Sequence, residues 1–103
     1  MIHSTVKLPT KQFPELGGYY CIQGKTLYCP AIYVTIEGRG YLREFVVWAK
    51  ENFDCVKFPS LFSPKLEYIL VKRYGFSMTE ELHEMIGEYV PVAVWKKEVK
   101  KNE

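Results

Sequence analysis

The chain is short of the residues from which most recognisable sites are built. Among 103 residues it has three cysteines and two histidines. An odd number of cysteines is not the disulfide framework of a secreted domain. Cys21, Cys29 and Cys55 match no zinc-ligand spacing, and His3 and His83 are too distant to complete one. Long apolar runs are missing too. Nothing approaches the roughly 18 residues that a membrane-spanning helix needs, and Met1 to Lys7 has no signal-peptide core. A cytoplasmic protein with reduced thiols is the expectation. Charge of one sign is also scarce: 14 Lys/Arg against 12 Asp/Glu leave +2. That balance does not indicate a strongly basic nucleic-acid surface, and with no spanning run either, neither nucleic acid nor membrane is expected as a partner. Internal repeats, low-complexity tracts and interdomain linkers are absent.

What is present fits a packed globule. The chain is 48% hydrophobic and 16% aromatic, which argues against disorder, and its length suits one domain. Eight tyrosines raise the idea of base stacking. Most aromatics fall at strand or helix positions that core packing explains, without the basic stripe that stacking would accompany.

Periodicity orders the elements. Ser4 to Leu8 reads as an edge strand within an irregular arm, residues 1–16, and Gly17-Gly18 punctuates the chain. Tyr19-Tyr20-Cys21-Ile22 and Thr26-Leu27-Tyr28-Cys29 read as a hairpin around Gln23-Gly24-Lys25. A three-residue loop, Gly24-Lys25-Thr26, would set Cys21 opposite Cys29, where a disulfide is conceivable; two reduced core cysteines are the alternative. Pro30 marks a bulge or kink. Ile32, Val34 and Ile36 alternate with Tyr33 and Thr35 in a strand from Ala31 to Ile36. Leu42, Phe45, Val46 and Ala49 form a core stripe on a helix from Tyr41 to about Asn52. Cys55 to Phe58 is a short strand. A second helix starts with Ser63 as cap and Pro64 in its first turn, and ends at Tyr74 with Gly75 as the left-handed stop. Ser77-Met78-Thr79-Glu80 looks like a capping box, and Leu82, Met85, Ile86 and Tyr89 recur at helical spacing, so a third helix is predicted over Thr79 to Ile86. His83 falls on its polar face. Val90, Val92 and Val94 alternate in a last strand, with Pro91 at its start or on an edge. Lys96 to Lys101 makes a basic, solvated tail.

The segment with chemical content is Gly38-Arg39-Gly40. It lies between a strand and a helix, where glycine turns can gather backbone N–H groups at the positive end of a helix and so bind phosphate. Arg39 would add charge. The plainer reading is a strand-to-helix turn with an exposed arginine.

The order of these elements resembles the GNAT superfamily of acyl-CoA-dependent N-acetyltransferases. Ala31-Ile32-Tyr33-Val34 resembles that family's central strand, Gly38-Arg39-Gly40 the glycines of its loop, and Tyr41-Leu42-Arg43-Glu44-Phe45 the start of the following helix. Lys72-Arg73-Tyr74-Gly75-Phe76 resembles its closing motif. The likeness spans residues 17–95. It implies an α/β (α+β) fold: a mixed β-sheet of GNAT-like topology with two to three helices, reduced at the N-terminus, of the size that small viral genomes encode. It also implies acetyl-CoA as co-substrate and an amine as acceptor. The amides of Gly38, Arg39, Gly40 and Tyr41 would hold the pyrophosphate, Tyr33 and Val34 would line the pantetheine arm, and Ser63 would face the far end of the cofactor.

Several positions depart from the family pattern. The loop after Val34 is shorter, Thr35 stands where the family has Gln or Arg, and Val71 aligns with its general-acid tyrosine. The strand from Tyr28 to Ile36 carries no carboxylate. Glu37 and Tyr74 are therefore the candidate catalytic residues. A non-catalytic GNAT-like module that binds protein partners, as a homodimer or a viral accessory protein, is the alternative.

Overall fold

The computed structural model describes residues 3–35, 38–59 and 63–98. It is an α+β structure: a mixed six-stranded sheet and two helices. The strands are β1 (His3–Leu8), β2 (Leu16–Gln23), β3 (Thr26–Val34), β4 (Cys55–Pro59), β5 (Ser77–His83) and β6 (Glu88–Lys96). Helix α1 (Tyr41–Asn52) joins β3 to β4, and α2 (Pro64–Tyr74) joins β4 to β5. The sheet order is β1-β2-β3-β4-β6-β5. Neighbours run antiparallel except β3 and β4, which are parallel, as a helical crossover allows.

Alternation within the strands decides which face carries the helices. Leu27, Val56, Phe58 and Ala93 join Phe45, Val46 and Ala49 of α1 and Leu70 of α2 in one buried cluster. Phe13, from the arm before β2, tucks its ring against Phe45 and Trp48, each at 5.2 Å centroid distance. Both helices cover the same face, because the Lys50 Nζ of α1 donates to the Tyr74 carbonyl at the end of α2. On the other face Lys57 and Tyr28 face water with the sheet's polar residues, the usual division for sheets covered on one side.

Two features of β3 shape the site. First, Tyr19 pairs with Ala31 but Cys21 with Tyr28, so Tyr20 faces both Cys29 and Pro30. This is the bulge expected at Pro30, which has no N–H for the ladder. Second, β3 pairs with β4 only through Thr26↔Cys55, Leu27↔Val56 and Tyr28↔Lys57. Beyond those residues β3 continues to Val34 beside β2, and β4 to Pro59 beside β6, but the two no longer pair with each other and part.

The structure corrects several readings of the sequence. The third helix expected over Thr79 to Ile86 does not form: Thr79 to His83 belongs to β5, which pairs with β6 from Ser77↔Val94 to His83↔Glu88. The helical spacing of Leu82, Met85 and Ile86 falls across a strand end and a turn, and long-range pairing prevails over the local capping box. His83 therefore lies on β5, half-buried, with Nδ1 unpartnered among the described residues. The β2–β3 turn holds two residues, Gly24 and Lys25, since Gln23 pairs with Thr26. That register sets Cys21 opposite Tyr28 rather than Cys29, and all three cysteines are free thiols. Gly17 and Gly18 lie inside β2 instead of ending an element. β3 stops at Val34, where Thr35 donates from both its amide and its hydroxyl to the Glu15 carbonyl, at 3.2 Å each. Ile36 and Glu37 lie outside the described residues, as does the end of the basic tail.

Candidate functional site: a cationic cleft where two strands part

Where β3 leaves β4, a cleft of about 780 Å³ opens. The end of β3, the turn 38–40 with the first turn of α1, and one face of α2 line it.

The α1 side is built from glycine. Gly38 and Gly40 have φ of 79° and 78°, in the left-handed region that favours glycine. A Cβ on either would meet nothing within 4 Å. The glycines serve the path of the backbone, not room for a neighbour. Gly40 is the N-cap of α1 and brings no side chain to it. The first intrahelical bond runs from the Glu44 amide to the Gly40 carbonyl at 3.0 Å. The amides of Tyr41, Leu42 and Arg43 consequently have no acceptor within the helix, and they carry the positive end of its dipole into the cleft.

The α2 side is closed at its start: Ser63 Oγ accepts from the Leu66 amide at 3.3 Å. Lys65, Ile69 and Arg73 then recur every four residues, so one face of α2 fronts the cleft. The far end of α2 is pinned. Gly75 takes a left-handed φ of 75°, the Phe76 amide bonds back to the Leu70 carbonyl at 3.0 Å, and Lys50 Nζ holds the Tyr74 carbonyl. That ammonium also lies over the rings of Phe76 and Trp95, at 5.7 and 5.3 Å. Burial lowers the Lys50 pKa below the usual lysine value.

The cleft combines positive charge with apolar walls. Arg39, Arg43, Lys65 and Arg73 line it, and no Asp, Glu or His does among the described residues. Ile32, Val34, Leu42, Leu66 and Ile69 supply the apolar surface. One sign of charge in a low-dielectric concavity focuses the field and attracts anions. The uncapped amides of α1 add donors suited to phosphate oxygens.

Of the residues singled out from sequence, Tyr33, Val34, Gly38, Arg39, Gly40 and Tyr41 come together on the β3–α1 side, while Ser63 and Tyr74 stand on the α2 side. Tyr33 is exposed and lays its ring over Gly17, where any Cβ would overlap it. Tyr74 is half-buried against the core. Glu37 lies outside the described residues, and Val71 does not line the cleft. Sequence reasoning missed Arg43, Lys65 and Arg73 as cleft residues; the four-residue spacing of Lys65, Ile69 and Arg73 is the signal that could have found the latter two.

A second concavity, of about 790 Å³, surrounds Lys57 and Glu81 and is lined by Ser77, Thr79 and Val94. Here the charges answer each other. Lys57 Nζ donates to Glu81 Oε2 at 2.8 Å and lies over the Tyr28 ring at 5.6 Å. The bond to Glu81 raises the Lys57 pKa against the opposing effect of burial. A paired lysine leaves this site without the surplus charge of the first. Among the described residues no group of His, Cys, Asp and Glu is placed to hold a metal, and no helix is long and apolar enough to cross a membrane.

No known family model, curated protein or solved structure matches the chain.

Proposed function

We propose that this chain binds an acyl-CoA in the cleft between β3 and α2 and transfers the acetyl group to an amine. The observation that carries the reading is the meeting of an uncapped helix N-terminus with Arg39, Arg43 and Arg73 in a cleft whose walls include Ile32, Val34, Leu42, Leu66 and Ile69. Such a surface suits a ligand with phosphate at one end and an aliphatic arm at the other. The element order supports it: central strand, glycine turn, helix, short parallel strand, helix, as the resemblance to the N-acetyltransferases implies.

In this reading the amides of Gly38 to Tyr41, with Arg39 and Arg43, hold the pyrophosphate. Around Tyr33 and Val34 β3 is paired with β2 but not with β4, and its open β4-side edge offers backbone groups to the pantetheine amides, as an open strand edge does to any extended chain. Ile32, Val34 and Leu42 exclude water along the arm. Acetyl-CoA supplies an acetyl thioester, already activated toward an amine. Much of the rate then comes from holding acceptor and thioester together. Of the three tyrosines among the described residues of the cleft lining, Tyr74 is the one we assign to protonate the leaving thiolate, with Glu37 as the acceptor of the amine proton.

The test is calorimetric titration with acetyl-CoA. Micromolar binding is expected, and the absence of heat at millimolar ligand would sink the proposal. One observation favours a second reading, a binding module without turnover: the described residues lining the cleft include no carboxylate or imidazole to take a proton. Acetyl-CoA binding with no acetyl transfer across a panel of polyamines, aminoglycosides and lysine peptides would select that reading.

A further inference from the structure

Among the described residues, the β5–β6 hairpin carries the most exposed cluster of apolar side chains. Leu82, Met85, Ile86 and Tyr89 are 53, 91, 57 and 68% exposed. They belong together: Leu82 pairs across the strands with Tyr89, and Met85 and Ile86 lie in the turn between them, closed by the left-handed Gly87. Single exposed apolar residues need no explanation, but four on one tip mark a contact surface. The charge there is of one sign. From Ser77 to Trp95 the sequence has Glu80, Glu81, Glu84 and Glu88 and no Lys or Arg. Glu81 is spent on Lys57, while Glu80, Glu84 and Glu88 are exposed.

The complement of this tip is found on the same chain. The cleft presents the exposed Arg39, Arg43 and Arg73 beside Leu42, Leu66 and Ile69. A molecule's own tip does not reach it, since no residue of β5 or β6 lines the cleft. The geometry allows a second copy to do so. β4 pairs with β6 as far as Pro59↔Val92, while β5 and β6 pair on to His83↔Glu88, so the tip projects past the end of β4. The cleft opens at that same end, where β3 finishes at Val34. Two copies meeting end to end about a two-fold axis can each give a tip and receive one, which closes the assembly at two.

We infer that the cleft accepts the acidic, apolar hairpin tip of a second copy of this chain, in a reciprocal dimer. The inference rests on the ligand reading only where it makes acetyl-CoA and the tip rivals for one cleft. Glu84 and Glu88 approach the arginines from the partner, while Met85 and Ile86 cover the apolar wall.

Charge exchange tests it. One variant, Glu84→Arg with Glu88→Arg, has a basic tip and a basic cleft. Another, Arg43→Glu with Arg73→Glu, has an acidic tip and a cleft in which two glutamates offset Arg39 and Lys65, so that it no longer attracts an acidic tip and can receive a basic one. All four positions are exposed, so folding survives, as circular dichroism will verify. In sedimentation at about 100 μM the natural chain is expected to be dimeric, each variant alone monomeric, and their equimolar mixture dimeric again. A monomeric natural chain overturns the inference, and so does a mixture that stays monomeric. Acetyl-CoA added to the natural chain should shift dimer to monomer; binding that leaves the dimer intact removes the tip from the cleft. The two readings fail separately. Restored pairing in the mixture with no acetyl-CoA binding upholds the tip contact and ends the ligand reading, and a strictly monomeric chain that binds acetyl-CoA does the reverse.

Discussion

Replacing Gly40 with aspartate isolates the charge logic of the cleft. Gly40 is left-handed at φ 78° and ψ 12°, so any side chain there is strained, by about 1 kcal/mol for a residue such as Asp or Asn that tolerates this region. No steric penalty is added, because a Cβ meets nothing within 4 Å. The carboxylate also gains from the α1 dipole, by about 0.3–1 kcal/mol, which offsets much of the strain. Folding stability should therefore fall by less than about 1 kcal/mol. Binding should fall far more. A carboxylate about 6 Å from a pyrophosphate charge, at the effective dielectric of about 20 that suits partly exposed sites, is repelled by about 3 kcal/mol. That is about a hundredfold in Kd. Gly40→Asn carries the same backbone strain without the charge, and it should bind acetyl-CoA within about threefold of the natural chain. Calorimetry on the three proteins at low salt reads the difference, which should shrink as ionic strength rises. Equal affinities for Gly40→Asp and Gly40→Asn would refute the assignment of this turn to phosphate.

Other consequences are as direct. Gly18→Ala should destabilise by about 3 kcal/mol or more, since φ is 97° and a Cβ would overlap the Ala31 carbonyl, whereas Gly17→Ala displaces only the exposed Tyr33 ring and should cost about 1 kcal/mol; equal urea midpoints would contradict this. Burial, and secondarily the charge of Cys21, pushes the Cys29 thiol well above its ordinary pKa. A thiol reagent at neutral pH should label the half-buried Cys21 and Cys55 promptly and Cys29 only as the protein unfolds, and three equal rates would be the disproof. The folded-state pKa of Lys57 is raised, chiefly by Glu81, so the pair's stabilisation is fully present below the ordinary lysine value of 10.5 and is lost as pH climbs through the higher folded value. Glu81→Gln should lower stability at pH 7 by about 1 kcal/mol or less, a deficit that vanishes in strong alkali; a deficit independent of pH would speak against the ion pair.

Much of the frame was legible because its signals are local. Ser63, Pro64 and Gly75 delimit α2 as their chemistry requires, and the Leu42-Phe45-Val46-Ala49 stripe lies where α1 meets the sheet. Pro30 announced its bulge. The hairpin at β5 was illegible for the opposite reason. Thr79-Glu80 and the Leu82-Met85-Ile86 spacing satisfy helix rules locally, and only pairing with β6, itself anchored on β4, overrides them. Pro91 is tolerated between two strands because β4 stops at Pro59↔Val92, leaving the β4 side of Pro91 without a ladder partner. The cleft was half-readable. The glycine turn gave its β3–α1 side, but Arg43 and Arg73 are 30 residues apart in sequence, and only the shared packing of α1 and α2 brings them to one opening.

The parting of β3 and β4 has a dynamic consequence. The sheet consists of two locally closed pieces, the β1-β2-β3 meander and the β5–β6 hairpin, and Cys55 to Pro59 alone stitches them together. Each piece forms from neighbouring segments with cheap loop closure, whereas β4 must be delivered between them with a helix on either side. β4 is therefore expected to join last on folding and to leave first in any sub-global opening, with both hairpin ladders still protected from amide exchange. When it leaves, the strand edge behind the cleft loses its fixed angle to α2. The cleft is thus expected to keep its shape only while the seam is shut.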